Sequence, residues 1–194
     1  PQQAKAWLAD DWDIVSGGMF DDVWSRTQHV LPRFEIPNGW RIYRAHDWGQ
    51  SKPFSFGWWA RANGEAATLP GGRVFCPPRG SLIRVGEYYG WDGRTPHVGL
   101  RVSNREMGKL ARKRELELFG DRIIAAGPAD ASIFDDNPGE TSPADEFAKH
   151  KLRFEPSDKS PGSRVRGWSK MRDMLSESAK PRPEAPGMWV LETC

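Results

Sequence analysis

The sequence predicts an α/β protein on a mixed sheet: three antiparallel strands in succession, a helix, then a fourth strand parallel to the first. Three observations carry that prediction. "RIYRAHDWGQSKPFSFGWWA" reads as two strand-like runs, rich in aromatic residues, joined by a turn. "SNREMGKLARKRELELFGD" has the spacing and the end signals of a helix. "RIIAAGPAD" follows at once, a short apolar run of the buried-strand type.

Taken in order, residues 1–36 have their own texture. Asp10, Asp11, Asp13, Asp21 and Asp22 make this stretch acidic, while Trp7, Trp12, Phe20, Val23 and Trp24 are apolar. It reads as an amphipathic connector that Pro32 and Pro37 end, with the domain proper over 37–194. Trp40, Ile42, Tyr43 and Ala45 make the first strand, which closes on Asp47; Phe54 to Ala60 make the second. "ANGEAATLPGG" carries turn signals, "RVFCPP" is a short strand that Pro77 stops, and "SLIRVGEYYGW" is the third long strand. "WDGRTPHVGLRVS" is a turn-rich insertion.

In the helix, Ser103 is the N-cap, Glu106 completes a capping box and Gly120 is the stop. Met107, Leu110, Leu116 and Phe119 supply its apolar stripe. A helix between strands returns the chain as a parallel neighbour through a right-handed crossover. If the fourth strand lies beside the first, Asp47 and Asp130 fall at the carboxyl ends of adjacent strands. That edge is where open α/β sheets bind ligands.

The bulk numbers set bounds. A chain of 194 residues is one domain of ordinary size, and 38% apolar content gives a lean core beside 28% charged residues. The ten Trp follow no fixed period and read mostly as core anchors. A net charge of +2 says little about partners, so local charge matters more. Cys76 and Cys194 are the only cysteines, which argues against a zinc site or a disulfide framework and fits a reducing compartment. No apolar run approaches 18 residues and no leader pattern opens the chain, so neither a membrane partner nor secretion is expected. The first residue, Pro1, suggests a fragment of something larger.

Two acids held close together repel, and neither ionises comfortably unless a cation joins them. Hard cations such as Mg²⁺ or Mn²⁺ take oxygen ligands and keep several waters. Two such ions, roughly 3.5–4 Å apart, clamp the attacking and leaving oxygens of a phosphodiester. Asp47 and Asp130 are therefore candidate ligands and catalytic residues, although Asp at a strand end also serves as a turn or cap residue. Asp135 and Asp136 in "FDDN" fall in a Gly/Pro-rich loop and read as caps or turns.

The pair His46-Asp47 invites a helical phosphohydrolase reading, but His29, His97 and His150 sit in unrelated contexts. Strand alternation also points His46 away from Asp47. No G-x-S-x-G elbow and no G-x-x-x-x-G-K-[ST] loop occurs, so neither serine hydrolysis nor ATP hydrolysis is expected. Between Lys151 and Arg182, nine bases stand against four acids. A loop there leads into a second helix from about 168 to 179, and Arg164, Arg166 and Lys170 are the candidate DNA-binding residues. An ordinary solvated face has the same composition.

"IYRAHDWGQSKPFSFGWWA" resembles the first acidic motif of the nuclease domain of tailed-bacteriophage terminase large subunits, and "GPADASIFDD" resembles the second. "DKSPGSRVRGWSKMRDML" is similar to a segment downstream of it, and "AWLADDWDIVSGGMFDDVW" to the end of the ATPase portion and its linker. The resemblance covers nearly the whole chain. It implies a ribonuclease H-like fold flanked by helices. It also implies metal-dependent endonucleolytic cutting of concatemeric double-stranded DNA during genome packaging, with two Mg²⁺ or Mn²⁺ ions on Asp47 and Asp130. Residues 1–36 would then be the linker from an ATPase domain. The implied partners are that domain, a small terminase subunit and a portal, and the implied setting is the host cytoplasm. The family's third metal-binding aspartate has no matching position before Cys194. Two alternatives stand beside this: a non-catalytic DNA-binding or docking module of the same fold, and a resolvase-like nuclease.

Overall fold

The structure is a computed structural model that describes residues 18–135, 139 and 141–194. Trp7, Asp10, Asp11, Trp12, Asp13 and Asp136 lie outside them. From the amino end come α1 (Arg26–His29), β1 (Val30–Leu31), β2 (Arg41–Asp47), β3 (Ser55–Arg61), β4 (Ala67–Thr68), β5 (Val74–Phe75) and β6 (Leu82–Tyr89). Then follow α2 (Asn104–Phe119), β7 (Ile124–Ala125), β8 (Pro128–Ala129), α3 (Pro143–Lys149), β9 (Glu155–Pro156), α4 (Ser163–Ser178) and β10 (Met188–Leu191). Eight strands form one sheet in the order β1-β10-β6-β3-β2-β8-β9, with β7 also on β2; β4 and β5 make a separate antiparallel pair.

The chain divides into two compact units. One takes residues up to 40, 61–83 and 160–193; the other takes 41–60, 84–159 and 194. In the first, β1 pairs parallel with β10 (Val30 with Val190, Leu31 with Leu191), and Trp40, Phe34, Phe75 and Trp189 meet edge to face. Here α4 is anchored from within: Ser178 Oγ donates to Met188 O (2.8 Å), and Leu175 O accepts from buried His29 Nε2 (2.9 Å). Residues 30–31, inside the expected connector, are thus part of a sheet. The helix begins five residues before the predicted position because Gly162, at φ 78°, turns the chain into it without any side-chain cap.

The second unit holds the predicted motif. Ile42, Phe56, Trp58, Met107, Ala111 and Phe147 are its buried core. β2 alternates cleanly, with Ile42, Arg44 and His46 buried and Arg41 and Asp47 exposed. The helix α2 is capped as expected: Ser103 Oγ accepts from Glu106 N–H (3.2 Å), and Gly120 ends it. Its buried stripe is Met107, Gly108, Ala111 and Glu115, and Gly108 is required there because a Cβ would sit 2.8 Å from His150.

The run after α2 is two short strands rather than one. β7 pairs parallel with β2 at Ile42 and Tyr43, and β8 pairs parallel at His46. Between them Gly127 passes Arg44 so closely that a Cβ would lie 2.1 Å from its carbonyl oxygen. β9 then extends the parallel set, with Ala129 opposite Pro156. The described Trp are less uniformly buried than expected. Of the eight described, Trp40, Trp58 and Trp189 are core residues, whereas Trp91 and Trp168 are more than two-fifths exposed.

Candidate metal centre

The register sets the site. His46 lies opposite Ala129 in a parallel pair, so the next residues, Asp47 and Asp130, leave adjacent strands together at their carboxyl ends. One more ladder bond, from Asp130 N–H to His46 O (3.2 Å), holds Asp130 against the end of β2. The inference from helix and crossover is what the backbone displays.

Asp130 also does what strand-end aspartates ordinarily do. It caps the 3₁₀ turn Ala131–Phe134, its Oδ1 accepting from Ser132 N–H (2.9 Å) and Ser132 Oγ (2.8 Å). Lys159 Nζ reaches the same oxygen at 2.9 Å. That cation first, then the Ser132 bonds, lowers the Asp130 pKa to about 2, so the group is a carboxylate at any working pH. All three donors converge on Oδ1; Oδ2 receives no bond among the described residues. Asp47 is exposed at the end of its strand. Asp135 only closes the 3₁₀ turn, donating its N–H to Ser132 O.

His46 lies on the other face, as alternation requires. Its ring stacks on Phe56 with centroids 4.0 Å apart, and Phe147 and Phe154 flank it. Nδ1–H donates to Ser55 O (3.0 Å), which leaves Nε2 an acceptor, buried and without a partner among the described residues. Burial pulls its pKa from 6.5 to about 4, against the pull of the Ser55 bond and the Asp130 charge. A neutral ring of that kind braces the strand end rather than extending the acidic pair.

A cleft of about 380 Å³ opens over the acids, lined by Asp47, Asp130, Ser55, Gly57, Trp59, Arg84, Ser157 and their neighbours, all within the second unit. Among the described residues no group of three or more His, Cys, Asp or Glu gathers at one point. Two carboxylates suit a hard ion of the Mg²⁺ type, which keeps most of its waters and takes one or two carboxylates with substrate oxygens. Asp130 Oδ2, unbonded among the described residues, and exposed Asp47 offer such an ion carboxylate oxygens.

Arg164, Arg166 and Lys170 belong to the other unit, all exposed on α4. Arg166 fastens its own loop, donating to Pro161 O (2.9 Å) and Ser160 Oγ (2.7 Å), and Arg164 lies over the Trp168 ring. Sequence reasoning counted Lys159 only as a charge and passed over Arg84 and Trp59. The available signal was a lone Arg inside the strand run "LIRVGEYY" and a second Trp beside buried Trp58.

The fold is a mixed sheet in which a strand returns parallel through a helix and two acids come to one edge. Among solved structures, the large terminase of a thermophilic bacteriophage matches with a TM-score of 0.57 and 17% identity. The match covers 91% of this chain and 34% of that one, so this chain spans about a third of that protein. The P22 large terminase nuclease domain matches with a TM-score of 0.57 and 12% identity, over 92% of this chain and 74% of that one. The fold is thus the one these terminases have. No protein-family model matches the sequence, and no curated protein matches it.

Proposed function

We propose that this chain is the nuclease domain of a phage terminase large subunit, a metal-dependent endonuclease that cuts concatemeric double-stranded DNA during packaging. The observation that supports this most is the parallel register that sets Asp47 beside Asp130 over an open cleft. The likeness to the thermophilic-phage and P22 terminases supports a DNA substrate. On this reading residues 1–36 form the linker from an ATPase domain, residues 37–194 form the nuclease domain, and a small subunit and portal are the partners.

Asp47 and Asp130 would hold Mg²⁺ or Mn²⁺, two ions in all. Bound there, such ions would supply activation of a water and neutralisation of phosphodiester charge. The protein's own contribution is orientation. Ser132 fixes the Asp130 carboxylate, and the His46 stack fixes the strand end that carries Asp47. Lys159 keeps Asp130 charged and lies where a cation belongs.

The test is nicking of supercoiled plasmid by the 194-residue chain in Mn²⁺, beside Asp130→Asn and Asp47→Ala. Cleavage by the parent chain that disappears in both variants is expected. Cleavage that persists in either variant would remove that residue from the site. DNA binding without cleavage under any ion would favour the binding-module alternative, and preference for a branched over a linear duplex the resolvase-like one.

A further inference from the structure

The acids account for one end of the cleft; Arg84 and Trp59 line it without a role. Arg84 is a strand residue of β6, and its guanidinium carbon lies 5.9 Å from the centre of the Trp59 ring. Its Nη2 pairs with Glu87 (2.8 Å). Its Nε is buried and bonded to nothing among the described residues. An unpaired buried donor is a cost that native structures rarely carry without reason. With Nε buried and Nη2 held, Nη1 also carries no bond among the described residues, and the residue lines the cleft.

Gly57 makes room for the contact between Arg84 and Trp59. A Cβ at this position would stand 3.1 Å from Trp59 Nε1 and 3.9 Å from Arg84 Nε, so the absent side chain leaves the floor on which indole and guanidinium rest. An arginine stacked on an aromatic face loses little freedom when it binds an oxyanion, and its planar fork matches a phosphate better than an ammonium does. Two carboxylates alone would repel DNA. A cation on the floor of the same cleft supplies the missing attraction.

From this we infer that Arg84, held by Trp59, is a phosphate-binding residue that seats the DNA backbone in the cleft beside Asp47 and Asp130. The inference rests on the nuclease reading for its substrate and is tested apart from cleavage. A short end-labelled duplex is titrated in EDTA at several salt concentrations with the parent chain, Arg84→Gln, Arg84→Lys and, as a charge control on an exposed loop, Arg73→Gln. One lost phosphate contact lowers affinity about tenfold and lowers the slope of log affinity on log salt by about 0.9. Arg84→Gln is expected to show both changes. Arg84→Lys is expected to keep the slope and lose part of the affinity, and Arg73→Gln to change neither.

A merely structural Arg84 would alter affinity through misfolding, read as a changed circular dichroism spectrum, with the salt slope unmoved. An unmoved slope in Arg84→Gln overturns the inference, and if the parent chain still nicks plasmid, the nuclease reading survives it. A reduced slope in a chain that never cleaves leaves the inference standing and the nuclease reading fallen. No DNA binding by the parent chain overturns the inference outright.

Discussion

Two carboxylates of the second unit are both ion-paired, Glu115 with two cations and Asp130 with one, and they are built to opposite ends. Glu115 on α2 is fully buried and takes four donors: Arg44 Nε (3.0 Å), Arg44 Nη2 (3.0 Å), Trp58 Nε1 (2.8 Å) and Arg112 Nη1 (2.6 Å). Both of its oxygens are saturated. Asp130 is about a third exposed, and its three donors crowd one oxygen while the other receives no bond among the described residues. A saturated acid under a sheet is an element of the fold. An acid with one oxygen loaded, partly exposed at the wall of a cleft, is the one to which the proposed reading gives a ligand.

The largest effect that would sharpen this contrast comes from Glu115→Ala. It leaves Arg44, itself 4% exposed, as an uncompensated charge beneath β2. Breaking a buried pair from one side costs on the order of 3–5 kcal/mol. Urea unfolding should show the midpoint falling accordingly. A loss near zero would mean that water reaches Arg44 and that Glu115 is no keystone.

Second comes acid. Folding holds the His46 imidazole neutral down to about pH 4, whereas the unfolded chain takes up its proton near 6.5. Stability from this group is therefore complete above pH 6.5, drains away as the pH falls from 6.5 to 4, and is level below. The loss is on the order of 3 kcal/mol. His46→Phe keeps the stack on Phe56 and removes the proton site, so its thermal midpoint should vary less than the parent's between those pH values. Equal slopes in the two proteins would show that His46 is hydrated in solution.

How much of this was readable without coordinates differs between the same two acids. Asp130 was legible because its place follows from local signals: a capped helix, an apolar run and the handedness of a crossover. Glu115 was not, because its partners Arg44 and Trp58 are 71 and 57 residues away, and only packing brings them together. Lys159 escaped for the same reason; it reaches Asp130 because β9 lies beside β8. β1 and β9 are two-residue strands with no period to detect, and β10 has only four. α4 was placed late because Gly162 starts it without a capping side chain. The sequence code is clearest where structure is local.

Third is Asp130→Asn, the inverse of Glu115→Ala. Asparagine still accepts from Ser132 N–H, and the half-exposed pair with Lys159 is worth less than about 1 kcal/mol. Stability should hold while plasmid nicking falls to background. If stability instead fell as far as in Glu115→Ala, Asp130 would be a structural acid and the division drawn between the two would fail.

The smallest effect on folding belongs to Lys159→Met. Its ammonium is more than half exposed, so screening leaves little of the pair's attraction to lose, and the unfolding midpoint should scarcely move. Its consequence lies in binding. On the proposed reading the ammonium competes with a divalent ion for the charge of Asp130, and a neutral side chain of similar length removes the competitor while the Ser132 bonds keep the carboxylate aimed. Titration calorimetry with Mn²⁺ should therefore show tighter binding in Lys159→Met than in the parent chain. Weaker binding would mean that Lys159 holds the carboxylate in place for the ion, and the contrast would then rest on the open oxygen alone.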